Sequence, residues 1–237
     1  MLTAHITRSG QGTPLVLFHG WGFDSRIWHS ILPTLATRYE VFCVDLPGFG
    51  LSPVMDWQTF KTTALNQLPP KFAVAGWSLG GLVAMRLTLE ESARVTHFIS
   101  IASSPHFVED AVWPGISQLA MSTFYNRLLD DPEQVLREFM ALQLPGQSDL
   151  IFASPTIEGL RMGFDWLLTW DFRDELAVLK LPMLYLFGRL DSIVPRRTMA
   201  VMQERYPDFQ YVMVGKAAHA LFISHQDVCV KAIFDFL

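Results

Sequence analysis

Cysteine is scarce in this 237-residue chain: Cys43 and Cys229 are the only two. Both sit in apolar runs, YEVFCVDL and DVCVKAIF, so buried free thiols are expected, with no disulfide framework and no metal-ligand spacing. Charge is sparse as well. Only 17% of residues are Asp, Glu, Lys or Arg, and the balance is −5. Without a lysine- or arginine-rich block to neutralise phosphates, nucleic-acid binding is set aside. No apolar run approaches the roughly 18–20 residues that span a bilayer. The opening MLTAHITRSGQG has no basic segment leading into an apolar one, so no signal peptide is expected and the chain reads as soluble and cytoplasmic. Apolar side chains, by contrast, make up half the residues. That suffices for one large domain, or one domain carrying a sizeable insertion.

Six apolar runs bounded by turn residues read as strands: 14–20, 40–48, 72–78, 95–103, 183–191 and 210–219. They are nearly continuous rather than alternating, which suits strands covered on both faces of a parallel sheet. Helix-like segments lie between them at 25–38, 79–93 and 195–206, giving the alternation of an α/β fold with right-handed crossovers. The rhythm breaks between 106 and 176, where helices are expected at 112–130, 133–143 and about 155–170. Asp131-Pro132-Glu133 is a helix start, with the aspartate at N-cap and proline at N1. Val135, Phe139 and Leu142 then share one face. The expected organisation is a core of 1–105 and 177–237 with a helical cap inserted at 106–176.

The chemistry-bearing stretch is GWSLGG, residues 76–81, which fits G-x-S-x-G between a strand and a helix. A sharp strand-to-helix turn exposes the serine and brings backbone so close that a Cβ at Gly76 or Gly80 would clash. Ser78 is therefore read as a nucleophile, with the helix N-terminus behind it facing any developing oxyanion. Its proton needs a base. The order serine, acid, histidine leaves His219 and His225 of the seven histidines, and His219, directly after the last expected strand, is preferred. Asp191, ending the strand MLYLFGRLD, is the preferred acid over Asp165, Asp171, Asp174, Asp208 and Asp227. HGWG, residues 19–22, follows the first strong strand. A backbone N–H at Trp21, with that of Leu79, would complete an oxyanion hole, and the Trp21 indole could wall an acyl pocket. His19 is expected to shape this loop through local hydrogen bonds, and Asp45 in DLPGFG to be structural.

HGWG, DLPGFGLS, GWSLGG and GRLD together resemble the α/β-hydrolases over nearly the whole chain. GWSLGGLVA, ASSPHF, WPGI, MALQ, VPRR and KAAHALFISH, in this order, resemble one branch of them, the pimeloyl-[acyl-carrier protein] methyl ester esterases of biotin biosynthesis. The resemblance implies an α/β-hydrolase fold, with a mostly parallel sheet, helices on both faces and a helical cap. It implies a serine esterase with the triad Ser78, Asp191 and His219, and no cofactor or metal. It places substrate contacts at Trp21, Leu79 and the segment Phe139, Met140, Ala141, Leu142 and Gln143, beside His219. The implied partner is an acyl-carrier protein bearing a pimeloyl methyl ester, docked through basic residues of the cap. Small ester substrates are expected as well, and the chain is expected to act as a monomer.

The cap's large apolar groups, Trp113, Phe124, Phe139, Phe152, Phe164, Trp166 and Trp170, could in part line a slot for a methylene chain. Its charge departs from the pattern: Arg127, Arg137, Arg161 and Arg173 face Asp130, Asp131, Glu133 and Glu138 among other acids. The same scaffold would also serve a general carboxylesterase or thioesterase, a lyase or carbon–carbon bond hydrolase, or a non-catalytic ligand receptor.

Overall fold

The computed structural model describes residues 2–143 and 155–237. Seven strands form one sheet in the order β1-β3-β2-β4-β5-β6-β7. They are β1 Ile6–Ser9, β2 Thr13–Phe18, β3 Tyr39–Val44, β4 Phe72–Trp77, β5 Val95–Ile101, β6 Met183–Gly188 and β7 Gln210–Val214. All neighbours are parallel except β1, which pairs antiparallel with β3. The strand β1 was not expected, because its sequence ITRS lies half-exposed on the sheet edge and has no apolar run.

The near-continuous apolar runs are explained by two cores. Along β2, Val16 and Phe18 join one buried cluster while Leu15 and Leu17 join another on the opposite face. Side chains alternate faces along a strand, so a sheet covered on both sides needs an apolar residue at every position. The strands end earlier than the runs, because the chain beyond each C-terminal end stays buried as loop; His19, Asp45, Ser78 and Ser103 are all buried there.

The described helices are α1 Leu32–Leu35, α2 Trp57–Leu65, α3 Leu79–Glu90, α4 Gln118–Asp130, α5 Pro132–Gln143, α6 Ile157–Thr169, α7 Arg196–Arg205, α8 Leu221–Ser224 and α9 Gln226–Phe236. The helix expected over 25–38 is instead a 3-10 turn, Ser25–Ser30, followed by the short α1 with Pro33 in its first turn. Proline has no N–H to continue a preceding ladder. The helix α2, unforeseen, starts where Asp56 accepts the Thr59 N–H at 2.9 Å.

Helices α4, α5 and α6 lie between β5 and β6, with starts capped by Ser117, Asp131 and Thr156, whose side chains accept from Ala120, Gln134 and Gly159. The first begins at 118 rather than 112. Asp110 Oδ1 takes the N–H groups of Val112 and Trp113, and Val108 bridges Ile116, so the chain there is a turn. The third approaches the sheet closely: a Cβ on Gly159 would lie 2.6 Å from the Gly48 carbonyl oxygen, and Thr156 N–H donates to that oxygen at 2.8 Å. No helix among the described residues is long and apolar enough to cross a membrane.

Candidate active site

Ser78 sits between β4 and α3 with φ 54° and ψ −121°, a left-handed conformation unfavourable for a residue with a Cβ. Holding it costs about 1–3 kcal/mol. The surroundings enforce it. Ser78 N–H donates to the Ile101 carbonyl at 3.0 Å, and its own carbonyl accepts from Gly81 N–H at 2.9 Å and from Ser103 Oγ at 2.7 Å. A Cβ on Gly76 would lie 2.1 Å from the Gly80 oxygen, and one on Gly80 2.2 Å from the Phe18 oxygen. These two glycines let the turn close. Leu79 opens α3, so its N–H has no intrahelical acceptor and stands at the positive end of the helix.

The chain ends following β6 and β7 bring up the other two groups. Asp191 is 7% exposed, and its Oδ1 accepts the N–H groups of Ile193 (2.8 Å) and Val194 (3.0 Å). Its Oδ2 accepts from His219 Nδ1 at 2.8 Å. That bond places the imidazole proton on Nδ1 and leaves the Nε2 lone pair outward. Nε2 is buried and has no hydrogen-bond partner among the described residues. His219 and Ser78 line the same cavity. The His219 backbone is itself fixed, since its carbonyl accepts the Trp77 indole N–H at 3.0 Å and the two rings lie 5.5 Å apart.

The alternatives from the sequence lie elsewhere. His225 occupies the turn between α8 and α9, where its Nδ1 is 2.9 Å from Ser224 Oγ. Asp171 and Asp174 pair with Arg173 and Arg205, while Asp165, Asp208 and Asp227 are exposed. His19 is used up locally, with Nδ1 bonded to the Gly20 carbonyl (2.8 Å) and Nε2 accepting the Leu46 N–H (2.9 Å). Burial lowers its pKa below 6.5 despite the opposing pull of Asp45, so it is a neutral strut. Asp45 ties two loops, accepting from Ser25 and Leu51 N–H.

Ser78 and His219 open onto a cavity of about 350 Å³ between the sheet edge and helices α4–α6. Trp21 is one wall: its indole N–H is satisfied by the Leu160 carbonyl at 2.8 Å, and its ring meets Phe124 and Phe139 edge-on at 5.5 and 5.2 Å. Of the segment 139–143, Phe139, Leu142 and Gln143 line the cavity. Met140 packs instead against the core on the opposite sheet face, and Ala141 is exposed. A helix turns about 100° per residue, so five consecutive residues cannot share one face. Leu79 has a fully buried side chain, against which a Cβ on Gly163 of α6 would press at 2.9 Å; it does not line the cavity, leaving its backbone as the relevant group.

Among the cap aromatics, Phe124, Phe139 and Phe164 line the cavity, while Trp113, Trp166 and Trp170 are packing residues. Trp166 stacks on Trp170 at 4.6 Å, away from Ser78, and Phe152 lies outside the described residues. Sequence reasoning missed Phe107, Ile116, Met121, Leu167, Ser192 and Ile193 as lining residues, and Trp77 and Ser103 as braces. Leu167, three residues beyond Phe164 on the same helix face, carried a usable signal; Ser103 carried none. The cap arginines are largely neutralised. Arg127 pairs with Glu138, Arg137 with Glu133, and Arg173 with both Asp110 and Asp171; only Arg161 of the four has no ion pair among the described residues.

The model of the alpha/beta hydrolase family matches residues 15–232. The chain is 50% identical to a pimeloyl-[acyl-carrier protein] methyl ester esterase of Legionella pneumophila (strain Corby), covering all of both chains. It is 39% identical to the protein of that name from Aeromonas hydrophila, again over the full length of both. Among solved structures, an esterase from Exiguobacterium antarcticum superposes with a TM-score of 0.87 at 19% identity, covering 100% of this chain and 99% of the other. A bromoperoxidase from Bacillus anthracis does so with 0.87 at 23% identity, over 98% and 94%. At these identities the two superpositions speak for the fold alone.

Proposed function

The chain belongs to the alpha/beta hydrolase family, among its pimeloyl-[acyl-carrier protein] methyl ester esterases, and from that premise we infer how its own residues cleave such an ester. It is a carboxylic ester hydrolase that converts the methyl ester of pimeloyl-[acyl-carrier protein] to the free acid and methanol, a reaction of biotin biosynthesis. The observation that carries the mechanism is the buried Nε2 of His219, unpartnered among the described residues, on a ring that Asp191 holds at Nδ1 and that lines the same cavity as Ser78.

In the proposed sequence, Ser78 Oγ attacks the ester carbonyl carbon as its proton passes to His219 Nε2. The carbonyl oxygen gains the negative charge and takes the N–H groups of Leu79 and Trp21, donors preset at the end of α3 and in the loop after β2. Asp191, already bonded to Nδ1, offsets the imidazolium charge. The collapsing intermediate breaks the bond to the methoxy oxygen, which leaves as methanol with the Nε2 proton. Water then attacks the acyl-enzyme, giving one proton to Nε2; the acid departs and Oγ regains the proton.

The apolar walls, Trp21, Phe124, Phe139 and Phe164 with Met121 and Leu167, suit the methylene chain. Burying roughly five methylenes at about 0.8 kcal/mol each supplies about 4 kcal/mol, positioning the ester without touching the reacting bond. We assign 106–176 to a cap, whose described helices α4–α6 contribute this half of the cavity, and 1–105 with 177–237 to the catalytic core. A cytoplasmic, single-copy enzyme belongs to the same reading; the two thiols are buried and free, with pKa values pushed up to about 12 by burial, as suits reduced side chains.

Ser78→Ala tests the mechanism: hydrolysis of the carrier-bound methyl ester should fall by about 10⁴-fold or more, with an unchanged melting temperature. A rate within tenfold of the parent overturns the assignment.

A further inference from the structure

We propose that helix α6 sets the geometry of the oxyanion hole, with Gly163 as a positioning residue for both of its donors; the roles of Trp21 and Leu79 rest on the mechanism inferred above. Those two residues come from separate segments, the loop after β2 and the start of α3, yet their side chains converge on one point of α6. A Cβ on Gly163 would lie 2.9 Å from Leu79 Cδ2 and 3.2 Å from Trp21 Cδ1, with Phe49 Cζ at 3.3 Å. Three residues earlier, on the same helix face, the Leu160 carbonyl accepts the Trp21 indole N–H at 2.8 Å. One directional bond thus pins Trp21 to α6, and both side chains reach the helix where it has no side chain of its own.

The helix can act as a reference because it is fixed to the core along its length. At its start, Thr156 N–H donates to the Gly48 carbonyl at 2.8 Å, and Gly159 meets Gly48 backbone to backbone. At its end, Trp166 and Trp170 meet the Trp57 ring at 6.2 and 5.6 Å. Arg86 of α3 lies over both Trp57 (4.7 Å) and Trp170 (4.5 Å). Gly159, Gly163, Trp166 and Trp170 follow at intervals of four, three and four residues, a single stripe of α6 that runs to its C-cap.

Glycine inside a helix is less favourable than alanine, so its place at 163 calls for a reason, and the approach of these two side chains supplies it. Leu79 is 0% and Trp21 2% exposed, so neither side chain can yield into solvent. A methyl at 163 therefore moves one of them, and the backbone N–H moves with it. Such a donor works only about 2.7–3.1 Å from the place where the oxyanion forms.

The test measures Gly163→Ala, Trp21→Phe and the double variant Gly163→Ala/Leu79→Ala against the parent, all as the whole protein. With dimethyl pimelate, Gly163→Ala should lower kcat by about 10–100-fold while KM stays within about threefold. A trifluoromethyl ketone of matching chain length gives a readout that packing alone would not move. Ser78 Oγ bonds to its carbonyl carbon, the Oγ proton passes to His219 Nε2, and the ketone oxygen becomes the oxyanion. Its Ki should rise in proportion to the fall in kcat. Shortening Leu79 makes room for the new methyl, so the double variant should regain about fivefold or more in kcat over Gly163→Ala. Trp21→Phe removes the bond to the Leu160 carbonyl. Its kcat on p-nitrophenyl acetate, too short to use the apolar walls, should fall by about fivefold or more, and it decides the matter if Gly163→Ala does not fold. An unchanged kcat in either single variant, a loss confined to KM, an unmoved ketone Ki, or a double variant no faster than Gly163→Ala overturns the role of α6. A parent that neither turns over dimethyl pimelate nor takes up the ketone overturns the mechanism itself, and the role of α6 with it.

Discussion

The sheet edge and the cap contribute to one cavity under different physical constraints. At the sheet edge each functional group is held by several backbone contacts: Ser78 by Ile101, Gly81 and Ser103, and Asp191 by two N–H donors. His219 is gripped from both sides by Asp191 and Trp77. In the cap the lining groups are aromatic and aliphatic side chains that touch one another by ring contacts, such as Phe124 on Phe164 at 5.3 Å. Directional bonds fix a reacting atom to fractions of an ångström, whereas apolar contacts fix mainly volume. The proposed mechanism thus puts chemistry on the rigid side and chain selection on the adaptable one.

The sharpest way to break that contrast is at the directional side. Asp191→Asn keeps the shape but removes the charge that sets the His219 tautomer, and kcat should fall by about 10⁴-fold with little change in KM. Steady-state kinetics with dimethyl pimelate reads this, and a loss under about tenfold would mean that the bond is ornamental. Gly80→Ala comes next. Its Cβ meets backbone oxygen at 2.2 Å, so urea unfolding should show about 3–5 kcal/mol lost or no folded protein. Gly163→Ala, whose Cβ meets only the Leu79 and Trp21 side chains and Phe49, should cost under about 2 kcal/mol. Equal costs at the two glycines would erase the distinction.

On the cap side, Phe139→Ala should raise KM for long-chain esters by about tenfold while leaving short p-nitrophenyl esters within about threefold. A uniform loss of kcat would instead place Phe139 with the catalytic groups. The smallest effect concerns pH. The folded-state pKa of His19 lies below 6.5, so its contribution to stability is full above about pH 6.5 and declines as pH falls from there toward the lowered value. Thermal melts at pH 7.5 and 5.5 should show a larger acid-side drop in the parent than in His19→Gln.

Much of the sheet-edge site was legible because its demands are local. A strand, a glycine-flanked serine and a helix within twelve residues or so constrain one another sterically, and GRLD and AAH each end a strand at the same sheet edge. The cap was legible only as helices. Composition pointed to a greasy slot, but which aromatic residues enter it depends on helix rotation: Phe164 lines the cavity while Trp166, two residues on, packs against Trp57. Met140 and Ala141 turn away from it for the same reason. The edge strand β1 and the helix α2 escaped because their burial is partial and their apolar periodicity weak.

By itself, then, the sequence determined the fold class and the glycine-flanked turn at Ser78, and chain order singled out Asp191 and His219 as the partners proposed for it, since chain order and short-range sterics leave few alternatives. Only the tertiary structure decided which side chains of α4–α6 line the cavity with Ser78, and that Trp77 and Ser103 brace the site. Those facts depend on packing angles and on pairings between distant segments, and no local pattern encodes either.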